Sequence, residues 1–141
     1  SYYEGYLPDA GDDPEVLYQA AQASQQLASI SYLLRQLDMA EKASARATEI
    51  MTLLHRKYPS VIKYETELAV CLRDQASILR DIPKKEAAAR VYQAAMVVFE
   101  KLIKSGDPTG TRRAGLANVL VNYALQRDQI RDGSEVESWY Q

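Results

Sequence analysis

A chain of 141 residues is long enough to bury a core without disulfides or bound metal, and one domain is the expectation at this length. Its 17 basic and 19 acidic side chains leave a formal net charge of −2, which excludes a dominant electrostatic attraction to nucleic acid or to an anionic membrane. The single cysteine, Cys71, rules out an internal disulfide and fits a reducing, intracellular compartment, while no apolar run reaches spanning length, so a water-soluble chain is expected.

Residues 1–13 carry Gly5, Pro8, Gly11 and four acids without a helical period, and read as an irregular lead-in. Its tyrosines, Tyr2, Tyr3 and Tyr6, suggest a segment that packs on the rest of the chain or occupies a groove meant for a partner peptide. Asp13 followed by Pro14 predicts a helix start, because the aspartate oxygen can accept from an early amide and proline at the first helical position loses no needed donor. Val16, Ala20, Ala23, Leu27, Ile30, Leu34 and Leu37 follow at alternating steps of four and three, which places them on one helix face. Asp38 and Glu41 have the form of a capping box that restarts a second helix, with Ala40, Ala43, Ala47, Ile50 and Leu54 as its core stripe. Tyr58-Pro59 ends that helix, since a residue before proline avoids helical angles.

Ser60 is the expected cap of a third helix lined by Val61, Tyr64, Leu68, Cys71, Gln75, Ile78 and Ile82, widened by Leu72 and Leu79. After Asp81-Ile82-Pro83, a fourth helix is predicted with Ala87, Val91, Ala94, Val98 and Leu102 inward and a stop at Ser105-Gly106. Asp107-Pro108 can cap a fifth, starting as late as Thr111, with Leu116, Leu120, Tyr123 and Ile130 on its stripe. Asp132-Gly133 would end it, and Ser134 with Glu137 would open a sixth helix that is cut short.

Short connections between long helices make antiparallel neighbours, so the chain divides into hairpins over about 14–58, 60–105 and 108–141, the last truncated, within one domain spanning 14–141. The pairs are self-similar. Leu27, Ser31, Ala43 and Ile50 of the first recur at one interval as Leu72, Ala76, Ala88 and Ala95 of the second, and Leu120, Ala124, Val136 and Tyr140 follow in the third. A large apolar residue, a small one at the helix crossing, a small one across the turn, an aromatic at Tyr92 and a further small residue together resemble the tetratricopeptide repeat. The interval exceeds the roughly 34 residues of the standard motif, so the likeness is to long-helix variants such as those of kinesin light chains. The expected fold is therefore all-α, with antiparallel hairpins stacked as a tetratricopeptide-like solenoid; a plain up-down helical bundle is the alternative.

Catalytic machinery is not expected. His55 lies on the second predicted helix among the basic residues of its last turn, where positive charge suits the helix dipole, and Cys71 lies on an apolar stripe of the third. No glycine-rich phosphate loop follows a strand, and no His/Cys cluster has metal-ligand spacing, so no cofactor is expected. Lys84-Lys85 and Arg112-Arg113 stand among acids with no interleaved aromatics, which favours solvated faces over nucleic-acid contact.

In the resembled family the first helix of each pair lines a concave surface that holds extended or helical peptides. Carried onto this chain, that implies a protein or peptide ligand at Ser29, Tyr32, Arg73, Ser77, Arg80, Asn118 and Asn122: the arginines for carboxylates, Tyr32 for amphipathic contact, the asparagines for peptide backbone. The alternative function is a structural or self-associating helical domain of a larger protein, with copies meeting on an apolar patch at Met96, Val97 and Phe99.

Overall fold

The computed structural model describes residues 13–82 and 84–139, with side-chain surroundings through residue 128; the lead-in and its tyrosines lie outside the described residues. Five helices follow one another: α1 (Pro14–Leu33), α2 (Leu37–Lys57), α3 (Ile62–Asp81), α4 (Lys85–Lys104) and α5 (Thr111–Trp139). No strand occurs among the described residues, so the chain is all-α. Helix α1 packs on α2, and α4 on α5. Contacts gather into two compact units, Ser1–Cys71 and Leu72–Gln141, with the division inside α3.

The chemistry of the helix ends explains their positions. The Asp13 carboxylate accepts from the Glu15 amide at 3.0 Å, and Pro14 occupies the first helical position. α1 closes on paired terminal bonds, Gln36 N–H to the Ser31 carbonyl at 2.8 Å and Arg35 N–H to Tyr32 at 3.0 Å. That closure places Arg35 at φ 60°, in the left-handed region where glycine is the usual occupant. The capping box expected at Asp38 does not form. α2 begins one residue before it, after Gln36, with no side-chain cap bond, and Asp38 instead puts its charge in the first turn, where the dipole favours it. Ser60 also stands back from its expected place: α3 opens on the Val61 carbonyl, which accepts from Tyr64.

The α4–α5 connection is the most heavily bonded turn. Gly106 and Gly110 both take positive φ, at 126° and 75°, which a side chain would resist. Arg112 Nη1 donates to the Leu102 and Gly106 carbonyls at 2.9 and 2.5 Å, closing the end of α4. The two Asp107 oxygens accept from the backbone amides of Arg112 and Arg113, each at 3.0 Å, closing the start of α5. α5 then runs without interruption through Asp132 and Gly133 to Trp139, so the expected stop and the restart at Ser134 are not seen. Glycine lowers helix propensity by only ~1 kcal/mol, too little to end a helix without a proline or a competing cap.

Packing selects a different face of three helices from the one the sequence pattern suggests. In α2 the expected Ala40, Ala43, Ala47, Ile50 and Leu54 are all buried, and α3 buries Tyr64, Leu68, Cys71, Leu72, Ile78 and Leu79 as expected. In α1, however, the core face is Leu17, Ala21, Ala28 and Ser31, one residue on from the predicted stripe. α4 buries Ala88, Tyr92, Ala95 and Phe99 in place of Ala87, Val91, Ala94 and Val98. α5 turns the other way, burying Gly115 and Val119 in place of the expected Leu116 and Leu120. One residue is about 100° of rotation. In α1 and α5 the buried face is the one with the smaller residues, Ala, Ser and Gly among them, and the larger aliphatics fall to the side; in α4 the rings of Tyr92 and Phe99 turn inward between Ala88 and Ala95.

Gly115 makes room for a ring, since a Cβ there would lie 2.5 Å from Cε1 of the buried Phe99. Gln126 is a buried exception further along α5, with neither amide oxygen nor nitrogen bonded to a partner among the described residues.

Gly115→Ala improves intrinsic helix propensity by ~1 kcal/mol but forces a methyl group into a filled core at a cost of ~1–3 kcal/mol. A net loss of stability is expected; a urea midpoint above that of the wild type would refute this packing. Asp107 gives a pH-dependent counterpart. Burial pulls its carboxyl upward, but the amide bonds from Arg112 and Arg113 and their positive charges outweigh that and hold it below the ordinary carboxylate value. Its contribution is present above the unfolded-state value and lost as pH falls through the lowered folded-state value. Asp107→Ala is therefore expected to melt earlier than the wild type at neutral pH, with the gap closing on acidification; a gap that is constant with pH would contradict the cap.

Candidate functional site

The expected ligand residues fall into both units and are described within each. In the second unit, α3 and α5 bring three of them into one bonded group. Arg80, near the end of α3, donates through Nη1 to Asn122 Oδ1 of α5 at 2.7 Å. The Asn122 amide nitrogen donates back along α5 to the Asn118 carbonyl at 2.8 Å and to its side-chain oxygen at 3.3 Å. Arg80 Nε also reaches Asp81 Oδ1 at 3.4 Å, so these contacts engage two of the five guanidinium N–H groups. The Arg80 side chain is 34% exposed. It is a held cation on an open surface.

Ser77 and Arg73 lie one and two turns earlier on the same helix. Arg73 repeats the arrangement of Arg80, with Nε 3.3 Å from the carboxylate of the following residue, Asp74. Ser77 has a different role from the one expected. Its hydroxyl lies 3.2 Å from the Arg73 carbonyl and 3.3 Å from the hydroxyl of the buried Tyr92, so it serves the α3–α4 packing and is not a surface donor. A serine beside the apolar stripe of a helix carries no sequence mark that separates these two uses.

In the first unit, Ser29 is exposed and Tyr32 half-buried, with the Arg35 guanidinium 5.8 Å above the Tyr32 ring. A shallow open depression lies close by at the α1–α2 turn, lined by Arg35, Gln36, Leu37, Asp38, Met39 and Lys42, and none of the seven expected residues lines it. The apolar patch expected at Met96, Val97 and Phe99 is not continuous. Phe99 is in the core against Gly115, and of the other two Val97 is exposed and Met96 half-buried.

Two groupings in the first unit have no counterpart in the sequence reading. Tyr18, Tyr58 and Tyr64 form an aromatic group, with Tyr64 centred 5.8 Å from Tyr18 and 6.1 Å from Tyr58. Lys63 Nζ stands 4.4 Å above the Tyr18 ring and 3.7 Å from Glu15. Burial, reinforced by the negative charge of Glu67 and Glu15, pushes the Tyr18 phenol upward, so it stays protonated at neutral pH. Glu65 is buried, and His55 Nε2 in the last turn of α2 lies 3.7 Å from its carboxylate. No group of His, Cys, Asp and Glu suited to a metal ion occurs among the described residues, and no helix among them is long and apolar enough to cross a membrane.

Comparison with protein-family models, with curated proteins and with solved structures gave no match, so the reading of these surfaces rests on their own geometry.

The Arg80–Asn122 contact joins residues of two helices and should be energetically coupled. A double-mutant cycle with Arg80→Ala and Asn122→Ala is expected to give about 1 kcal/mol, the low end for a charge-assisted hydrogen bond because of its partial exposure. Additive single-mutant effects would show that the two side chains are not held by each other.

Proposed function

We propose that this chain is a tetratricopeptide-like stack of helical hairpins that binds a partner protein through a peptide segment, and that Arg80, Arg73, Asn122 and Asn118 on α3 and α5 form the ligand surface. The observation that carries this reading is the Arg80–Asn122 bond. Holding a guanidinium in place before a ligand arrives removes part of the ordering cost of binding, and its remaining N–H donors suit a carboxylate. Arg73 supplies a second cation on the same helix, and the exposed Asn118 supplies an amide that can both donate to and accept from peptide backbone.

The burial pattern supports the stacked-hairpin part of the reading. The small residues that the repeat needs at its helix crossings, Ser31 and Ala43 in the first hairpin and Ala76, Ala88 and Ala95 in the second, are all buried, as is Tyr92 at the aromatic position. Ala124, at the corresponding place in α5, is exposed and departs from this pattern.

A random peptide library graded in acidic content tests this directly. The wild type should enrich acidic peptides, with affinity falling as salt is raised. An Arg73→Glu/Arg80→Glu variant of unchanged helicity should bind the same peptides roughly tenfold or more weakly, the scale of one charge-assisted hydrogen bond. No enrichment by the wild type would remove the ligand assignment, and full binding by the variant would move it off α3.

A further inference from the structure

From Ala23 onward, the face of α1 that the sequence pattern singles out as core is left open, while Val16 and Ala20 before it are half-buried. Leu27, Ile30 and Leu34 are 46%, 56% and 64% exposed, Ala23 is exposed, and Leu33 adds to the same surface. The corresponding residues of α3, Leu72 and Leu79, are buried. This face also carries no charge. From Val16 to Leu34 no acidic or basic residue occurs, whereas α2, α3 and α4 are each studded with both signs. A helix that turned this side to water in the working protein would be expected to place charges there; charge depletion with contiguous aliphatics is the mark of an interface.

We propose that α1 is a self-association surface, and that its occupant is the α1 of a second copy of this chain. Two observations choose that occupant. Val16, Ala20, Ala23, Leu27, Ile30 and Leu34 alternate steps of four and three, which is the seam spacing of one helix packed along another of similar length. The open flank of the seam is formed by Gln19 and Gln26, both exposed. Each glutamine can donate and accept, and with no charge from Val16 to Leu34 the face meets its own copy without like-charge repulsion. The other exposed aliphatic face, at Leu120, Val121 and Leu125 of α5, has no such seam: continuing its stripe, Tyr123 is bonded through its hydroxyl to Gln93 at 2.7 Å, and Arg127 places a charge.

The surface is in the first unit and the proposed peptide site in the second, so the two ideas stand or fall separately. Sedimentation equilibrium over a dilution series is the test. The wild type should give twice the 15.8 kDa monomer mass, with a dissociation constant that changes little between low and high salt because the seam is uncharged. Leu27→Glu/Ile30→Glu should be monomeric with unchanged helical circular dichroism, while Leu120→Glu/Leu125→Glu and Arg73→Glu/Arg80→Glu should remain dimeric. Should the Leu27→Glu/Ile30→Glu chain lose helicity, the milder Leu27→Gln/Ile30→Gln pair is expected to raise the dissociation constant at least tenfold. The proposal is overturned by a wild type that stays at 15.8 kDa up to about 1 mM, where even weak pairs are populated. It is equally overturned by a dimer that survives both α1 variants, or by one that the α5 variant dissolves.

Discussion

Close approach of helix backbones over small residues is the constraint on which the rest of this structure depends. Ala21, Ala28 and Ser31 on α1 and Ala40, Ala43, Ser44 and Ala47 on α2 fill the core of the first unit. In the second, Ala88 and Ala95 on α4 and Gly115 on α5 play the same part, with Tyr92 and Phe99 as the large residues beside them. Small residues contribute little transfer free energy individually. What they permit is a short interhelical distance, at which backbone and Cβ atoms of both helices make dense dispersion contacts. A serine is tolerated in such a core because its hydroxyl can bond within its own helix, as Ser44 does to the Glu41 carbonyl at 3.0 Å.

The same constraint explains which parts of the fold were legible in the sequence. Helix existence and most boundaries follow from local chemistry: proline and aspartate at 13–14, Tyr58-Pro59, and Ser105-Gly106 act over one or two residues and need no tertiary partner. Rotation about the helix axis does not. α1 and α5 each carry two neighbouring stripes of identical period, one of large aliphatics and one of smaller residues, and periodicity cannot say which turns inward. Weighting by hydrophobic size picks the large stripe, whereas close packing buries the small one. The repeat comparison asked where small residues recur and so found Ser31, Ala76, Ala88 and Ala95, all buried, where the stripe reading did not. Asp107 shows the converse limit: its role as cap of α5 was readable, but the reach across four intervening residues to the amides of Arg112 and Arg113 depends on a turn with two positive-φ glycines.

The candidate site was legible to a similar depth. The helical repeat interval nominated polar residues on the right helices, and three of the seven, Arg80, Asn118 and Asn122, are brought together. Half-buried Ser77 is engaged by the hydroxyl of Tyr92, a partner on another helix that no local pattern reveals. Glu65 escaped notice for the same reason, because a glutamate next to an apolar stripe reads as surface until His55 of α2 is found beside it. Burying such a carboxylate is costly unless a partner offsets the lost hydration, which gives the approach of His55 to Glu65 a physical reason.

Polarity therefore sorts the surfaces by what each can do. Two arginines fixed by neighbouring aspartates, one also by Asn122, confer charge and direction on the α3–α5 surface, a combination suited to reading a polar segment of another molecule. The open face of α1 offers area and spacing without charge, which suits pairing with a surface of the same kind. A pair formed through α1 would carry two Arg80 surfaces, and a ligand protein displaying two acidic segments would then bind the second as an intramolecular event. The resulting gain is set by the effective concentration that the pair imposes, and it vanishes if the two surfaces cannot be spanned. Self-association through one unit would in that way tune the affinity of the other without any change in its contacts.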